Sequence, residues 1–470
     1  MSTDAPTRAG RSRKRRGRAF LVSFAVVIGV LAVVGLAGAA ASVAQGPRVS
    51  SVQVDPEAAA AASGSRLIVT TTQSLAEVDP GQVTVMPETP FTVDTSGRSV
   101  GVRFAIPLFD DTEYTVSFAG VEGLGGGPSA TFTETFRTPA THVYLLQRTT
   151  SGDTIYRTDL TGGEAVPVFR NDHIEDFRAT SSHLVVSVVV DDVSELIVTD
   201  LAGGDERTLP LPGEGYVSNL QSADRGELIG YTFSDADLGA AGGTESALFT
   251  ASLKESEADV APTPVAVTGA DARVAEWRFV PDTDSILLLS FDGSLLLTAA
   301  TSEGATALGS ALAIEGIARG SSEAIVARFD GMRVIDLSDA AETDLVAADE
   351  DLGLRGAITP VPGGGTVRVG APTDASGIPV GTTVAAVAPD GATDVLMELP
   401  STDVVLHTCV SPSGRYAAIT VAPDAVANPY DRYRLPLPER LESHIVEIAT
   451  GEEVVALSGF DVSWCQVPPG

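Results

Sequence analysis

Seven times between residues 155 and 457, a strand-like stretch runs into a polar turn and out into a second one. The copies read IYRTDLTGGEAVPV, LIVTDLAGGDERTL, LFTASLKESEADV, LLLTAATSEGATAL, MRVIDLSDAAETDLV, VAAVAPDGATDVLMEL and HIVEIATGEEVVAL. Aligned on Leu160, Leu201, Leu253, Ala300, Leu337, Val387 and Ile448, they follow at intervals from 37 residues (Ala300 to Leu337) to 61 (Val387 to Ile448). A further apolar strand precedes the later copies (LVVSVVV, ELIGYTF, SILLLSF, EAIVARF, GTVRVGA, YAAITVA), and another strand precedes each of those. Unequal intervals around a common core mean insertions in the loops of one unit. An all-β unit of four short strands at this period fits a propeller blade. Residues 139–470 are therefore expected to form a seven-bladed β-propeller in a mainly β protein.

The first unit, from His142 to Phe169, supplies only three strands. The chain ends FDVSWCQVPPG, and DVSWCQVP aligns with VAEWRFVP of the fourth blade, Trp464 against Trp277. The C-terminal stretch is thus expected to join the first blade as a strand and close the ring, removing an open edge. Cys409 lies three residues before Pro412 and Cys465 three before Pro468. Matching positions on neighbouring inner strands predict a Cys409–Cys465 disulfide.

Residues 46–138 read as a separate β-sandwich. RLIVTTT, VGVRFAI, TEYTVSFAG and SATFTETFRT alternate apolar and polar positions, with Pro and Gly between them. The opening Pro47-x-Val49, Pro107-Leu108 ahead of Thr112-x-Tyr114, and the closing Phe136-x-Thr138 resemble the bacterial Ig-like domains of cell-surface proteins. That resemblance implies a spacer. It departs at Glu122-Gly-Leu-Gly-Gly-Gly, where such domains usually carry an Asp-x-x-Gly-Asn turn, so no ion site is carried over. Ser411-Pro412-Ser413-Gly414-Arg415-Tyr416 resembles the Ser-Pro-Asp-Gly turn of TolB-type and WD-like propeller repeats, with Ser413 in place of Asp.

Arg8, Arg11, Arg13, Lys14, Arg15, Arg16 and Arg18 make residues 1–18 a basic tail in a chain of net charge −32. The uncharged run AFLVSFAVVIGVLAVVGLAGAAA follows. Residues 19–45 are expected to be a transmembrane anchor, with the tail cytoplasmic and the bulk of the chain extracytoplasmic. Ser42-Val43-Ala44 leaves a cleaved signal peptide open as the alternative. The acidic remainder repels nucleic acid and anionic headgroups, so no nucleic-acid partner is expected.

The chemical templates find little. Gly97-Arg98-Ser99-Val100-Gly101 matches a nucleophile elbow, but the strand VGVRFAI follows where a helix is required. His142, His173, His183, His407 and His444 show no ligand spacing, and Lys254 is the only lysine beyond the basic tail. Carboxylate pairs such as Asp110-Asp111 and Asp191-Asp192 read as solvated loop charge. No catalytic, metal or cofactor residues are assigned. The long insertion PDAVANPYDRYRLPLPERLES, residues 423–443, gathers Tyr430, Arg432, Tyr433, Arg434 and Arg440, residue types favoured where partners dock. The function expected is a monomeric, membrane-anchored binding or scaffold protein of the cell envelope, whose propeller face meets an envelope protein or cell-wall polymer. The alternative is a propeller hydrolase or lyase acting on an exported carbohydrate or lactone.

Overall fold

The structure, a computed structural model, describes residues 20–36, 38, 45–163, 165–223, 227–239, 242–299 and 304–469. It is mainly β and divides into two compact units. One gathers the described residues up to Asp55 with Arg66–Arg103 and Glu113–Phe136. The other gathers Pro56–Ser65, Phe104–Thr112 and the described residues from Arg137 onward.

Among the described residues the first unit holds two antiparallel sheets. One has the spatial order Val49–Gln53, Arg66–Thr71, Ser99–Phe104, Phe91–Ser96; the other Val83–Met86, Glu113–Val121, Ala130–Arg137. Strand alternation turns Leu67, Val69, Val100 and Val102 of the first sheet and Val83, Val85, Val116 and Phe118 of the second inward, all buried. The Gly-x-Ser-x-Gly stretch is a hairpin turn, with Gly97 at φ 58° leading into the strand Ser99–Phe104.

The expected membrane anchor is corrected. Among the described residues no helix is long and apolar enough to cross a membrane. The continuous helical run is 20–36. At about 1.5 Å per residue it spans roughly 25 Å, short of a hydrocarbon core of about 30 Å. The single-pass, N-terminus-inside arrangement that depended on that anchor is withdrawn with it. The rest of that expectation, on residues 1–19, 37 and 39–44, lies outside the described residues.

Among the described residues the second unit is a succession of seven antiparallel sheets. The first has three strands, His142–Gln147, Asp153–Asp159 and Val166–Asn171. Six four-stranded meanders follow, with first strands Ile174–Ala179, Gly215–Ser222, Val274–Phe279, Ala313–Ile317, Leu354–Pro360 and Val404–Val410. Those first strands lie beside one another in chain order, which is a β-propeller arrangement. Second strands such as His183–Val190 and Tyr416–Ala422 are apolar at most positions on both faces, because both faces of each sheet are covered.

The core is a series of walls between neighbouring sheets. Val185 and Leu196 of the second sheet meet Leu220 and Tyr231 of the third. Leu289 and Leu295 of the fourth meet Ile314 and Val326 of the fifth. Val367 and Val384 of the sixth meet Ala417 and Ile419 of the seventh. Between the seventh and first, Tyr416, Ala418 and Ile445 pack with Val143 and with Val462 and Trp464 of the tail. Gly230 shows how close these walls are: a Cβ there would lie 2.5 Å from Cη2 of Trp277 on the next sheet.

The tail departs from the sequence reading. It forms no strand among the described residues. Phe460 makes one isolated antiparallel bridge with Leu146, and a turn follows at residues 463–464. Leu146 and Phe460 exchange backbone hydrogen bonds of 2.9 and 3.0 Å, and Ser463 N–H donates to Tyr144 O at 2.9 Å. The cause lies in Asp461, whose φ of 56° turns the backbone out of extended geometry immediately after the bridge. The predicted disulfide is present: Cys409 and Cys465 are bonded, with Cα atoms 5.3 Å apart.

Candidate functional site

Each four-stranded sheet has a bulge in its first strand. The register shifts fall between Ile174 and Asp176, Ser218 and Gln221, Val274 and Glu276, Ile314 and Gly316, Arg355 and Ile358, and Val405 and His407. A bulge bends its strand and re-aims side chains. Here it lets polar side chains of one first strand reach the backbone of the next.

These links form a chain. Arg178 Nε donates to Leu220 O at 2.7 Å, and Gln221 Nε2 to Trp277 O at 2.7 Å. Arg278 Nη2 donates to Ile314 O at 3.0 Å, while Glu276 accepts from Ile314 N–H at 2.9 Å. Glu315 accepts from Ile358 N–H at 3.1 Å, and Thr359 Oγ1 donates to Thr408 O at 3.0 Å. Next comes the Cys409–Cys465 bond, and Asp461 in the same tail accepts from Arg178 Nη1 with both oxygens at 2.8 Å. Arg178 and Asp461 are almost wholly buried, and Asp176 lies 3.1 Å from Arg178 Nη2. Charge-assisted bonds of this kind contribute about 1.5–3 kcal/mol each.

Burial displaces the titration of this cluster. Burial raises Asp176 well above the ordinary carboxylate range; the charge of Arg178 opposes this and Asp461 adds to it. Burial also raises Glu315 and lowers Arg278. His407 is pushed down to about 3, first by burial and then by the positive fields of Arg178 and Arg278, so its imidazole is neutral at neutral pH. Glu276, Arg278, Glu315, His407, Thr408 and Trp464 are among the residues lining a cavity of about 330 Å³. Of the five histidines only His407 lines it. Among the described residues no group of three His, Cys, Asp or Glu side chains could hold a metal ion.

The 423–443 insertion is fixed from below and open above. Leu437 and Leu441 enter the core shared with Tyr144, Phe177 and Phe460. Asn428 is buried and bonds both ways with Arg440, Nδ2 to O at 2.8 Å and N–H to Oδ1 at 3.0 Å. Tyr433 OH donates to Asp153 at 2.6 Å, and Arg148 lies over its ring at 3.8 Å while pairing with Asp431 at 2.8 Å. Burial, with the Asp153 bond second, raises the Tyr433 pKa. Arg434 N–H donates to Glu175 at 3.1 Å, and its guanidinium lies over Tyr216 at 3.1 Å. Tyr433 and Arg434 are thus anchored. Tyr430 is 60% exposed, Arg432 and Arg440 are exposed, and Val426 and Leu435 are exposed apolar side chains beside them.

The linking groups Asp176, Arg178, Glu276, Arg278 and Glu315 were not singled out from sequence. One signal was readable. Asp176-Phe177-Arg178 and Glu276-Trp277-Arg278 repeat an acid–aromatic–arginine triplet at the same place in two blades.

No protein-family profile matches the chain, and no curated protein matches it. Solved structures with likeness include the Cps50 (Swd1) β-propeller domain of Myceliophteria thermophila, at 13% identity and TM-score 0.41, over 62% of this chain and 87% of that one. A protein described as TolB from Agrobacterium tumefaciens aligns at 13% identity and TM-score 0.35, over 68% and 90%. An auxiliary nutrient binding protein from Bacteroides thetaiotaomicron aligns at 11% identity and TM-score 0.34, over 79% and 94%. Scores below 0.5 do not carry the assignment, which rests on the sheet succession itself.

Proposed function

We propose that the chain is a binding or scaffold protein: a seven-bladed propeller over residues 139–470, closed by its tail, preceded by an Ig-like sandwich over 46–138. Closure is supported by the run of links from Arg178 around to Asp461, with the disulfide as the covalent step. The binding role is carried by one observation: the 423–443 loop is anchored through Leu437, Leu441 and Tyr433, yet leaves Val426, Tyr430, Arg432 and Leu435 exposed. A rigid base under exposed Tyr and Arg lowers the entropy lost on docking. Partner capture from cell extract with the full chain tests this. Changing Val426, Tyr430, Arg432 and Leu435 together to Ala is expected to abolish capture of a partner held by the unaltered chain. Undiminished capture removes the loop from the interface.

One observation favours a second reading, a propeller hydrolase or lyase. Ionisable groups with displaced pKa values do converge on the cavity at Glu315 and His407. Glu315 is committed to the Ile358 amide and Arg278 to carbonyls, which favours a structural use. Turnover of sugar esters or lactones that disappears in Glu315→Gln but survives the four-Ala loop change would establish the enzyme instead.

A further inference from the structure

In an antiparallel meander the starts of the first and third strands and the ends of the second and fourth lie at one end. The register of the second sheet shows this, with Ile174 opposite Val188 and Val190 opposite Val193. With the first strands side by side, the turns between second and third strands and the connections between sheets therefore share one end of the propeller. The 423–443 loop is one of these turns.

Exposed apolar side chains are concentrated at this end. Phe329 is 86% exposed in a turn of the fifth sheet, Ile378 61% and Val380 56% in one of the sixth, Leu312 50% in a connection between sheets, and Val426 98% in the seventh. The opposite end is occupied within the same unit. Arg415 donates to Asp110 O at 3.1 Å, Ser63 donates to Asp282, and a Cβ on Gly320 would lie 2.8 Å from Ala105 O. Around Phe329, Leu312 and Ile378 acidic groups outnumber basic ones: Asp330, Asp349, Glu350, Asp351 and Asp374 are exposed, against exposed Arg355 and an Arg333 that pairs with Asp330 at 2.7 Å. Large exposed apolar side chains on neighbouring turns at one end give a partner apolar area to cover. The acidic surround repels nucleic acid and anionic lipid and selects a cation.

We propose that this end, across the fifth and sixth sheets, docks a polypeptide segment in which lysine or arginine alternates with large apolar side chains. The inference rests on the binding reading above and names the partner class. Apolar residues seat against Phe329, Ile378 and Val380, and the cations face Asp349–Asp351.

The test is fluorescence anisotropy of labelled synthetic peptides against the full chain. Three peptides of equal length are used, alternating Leu/Lys, Ser/Lys and Leu/Glu. The Leu/Lys peptide is expected to bind, with the Ser/Lys peptide weaker by about ten-fold or more and the Leu/Glu peptide not bound. F329S/I378S/V380S, three changes at exposed turns, is expected to weaken Leu/Lys binding by about ten-fold or more, and so is D349N/E350Q/D351N. Unaltered far-UV circular dichroism and urea midpoint show that these variants fold. Equal affinity for Ser/Lys, or unchanged affinity in F329S/I378S/V380S, overturns the proposal. Absent peptide binding alongside loop-dependent capture overturns this inference and leaves the binding reading standing. Absence of both overturns both.

Discussion

Replacing Cys409 and Cys465 with Ser removes the covalent step between the seventh sheet and the tail. The bond closes a sequence separation of 56 residues. Loop-closure entropy for a ring of that size corresponds to about 4 kcal/mol at room temperature. Packing adds little to the loss, since Ser nearly preserves the side-chain shape. The two tryptophans provide separate reporters. Trp277 is wholly buried in the wall between the third and fourth sheets, and Trp464 is buried in the tail at 6.4 Å from Tyr416. Urea unfolding is followed in W277F and W464F backgrounds, with and without the cysteine pair. With the disulfide intact, both reporters are expected to change together. In the Ser/Ser chain the Trp464 transition is expected to move to lower urea ahead of Trp277, because the tail is then held by noncovalent contacts alone, among them the Leu146 bridge, the Ser463–Tyr144 bonds and the Asp461–Arg178 pair. A Ser/Ser chain within about 1 kcal/mol of the parent, with both reporters still coincident, would refute the latch.

Further outcomes follow from the same links. Asp461→Ala leaves Arg178 buried with one carboxylate partner fewer and is expected to cost about 3–5 kcal/mol in urea unfolding. Because it acts on the same tail, its effect is expected to be non-additive with loss of the disulfide. Gly230→Ala drives a methyl group into Trp277 and is expected to cost about 1–3 kcal/mol and to shift Trp277 emission. His407 takes its proton near 3 in the folded chain and near 6.5 when unfolded. Between those values the unfolded state binds more protons, so acid destabilises the fold, by at most about 1.4 kcal/mol per pH unit. His407→Gln is expected to flatten that part of the pH–stability curve, while the oppositely signed contributions of Asp176 and Glu315 persist in both proteins.

Much of this architecture was legible because it repeats. The sevenfold strand–turn–strand pattern anticipates the seven sheets, and matching the positions of Cys409 and Cys465 relative to Pro412 and Pro468 anticipates their pairing. Period two places Tyr114, Val116 and Phe118 on the buried face of one strand before any coordinates. The tail was misread because alignment with VAEWRFVP carries the tryptophan and proline across but not the backbone turn at Asp461. The apolar run after Arg18 has the composition of a membrane span, but the helix described within it is too short. The links from Arg178 to Leu220 or Glu315 to Ile358 join residues some forty positions apart through bulges, and no local pattern encodes a register shift. In the 423–443 loop, sequence located the Tyr and Arg residues but could not separate Tyr433 and Arg434, which are tied to other sheets although Arg434 is itself exposed, from Tyr430 and Arg432. That division depends on Asp153, Glu175 and Tyr216, which belong to the first three sheets.

The closure of the ring by its own tail is tested most directly by amide hydrogen exchange at Leu146, Phe460 and Ser463, whose N–H groups bond Phe460 O, Leu146 O and Tyr144 O. In the oxidised protein these three amides are expected to exchange as slowly as amides inside the seventh sheet, and to lose that protection when Cys409 and Cys465 are replaced. Exchange at the rate of an unstructured peptide in the oxidised protein would contradict the account.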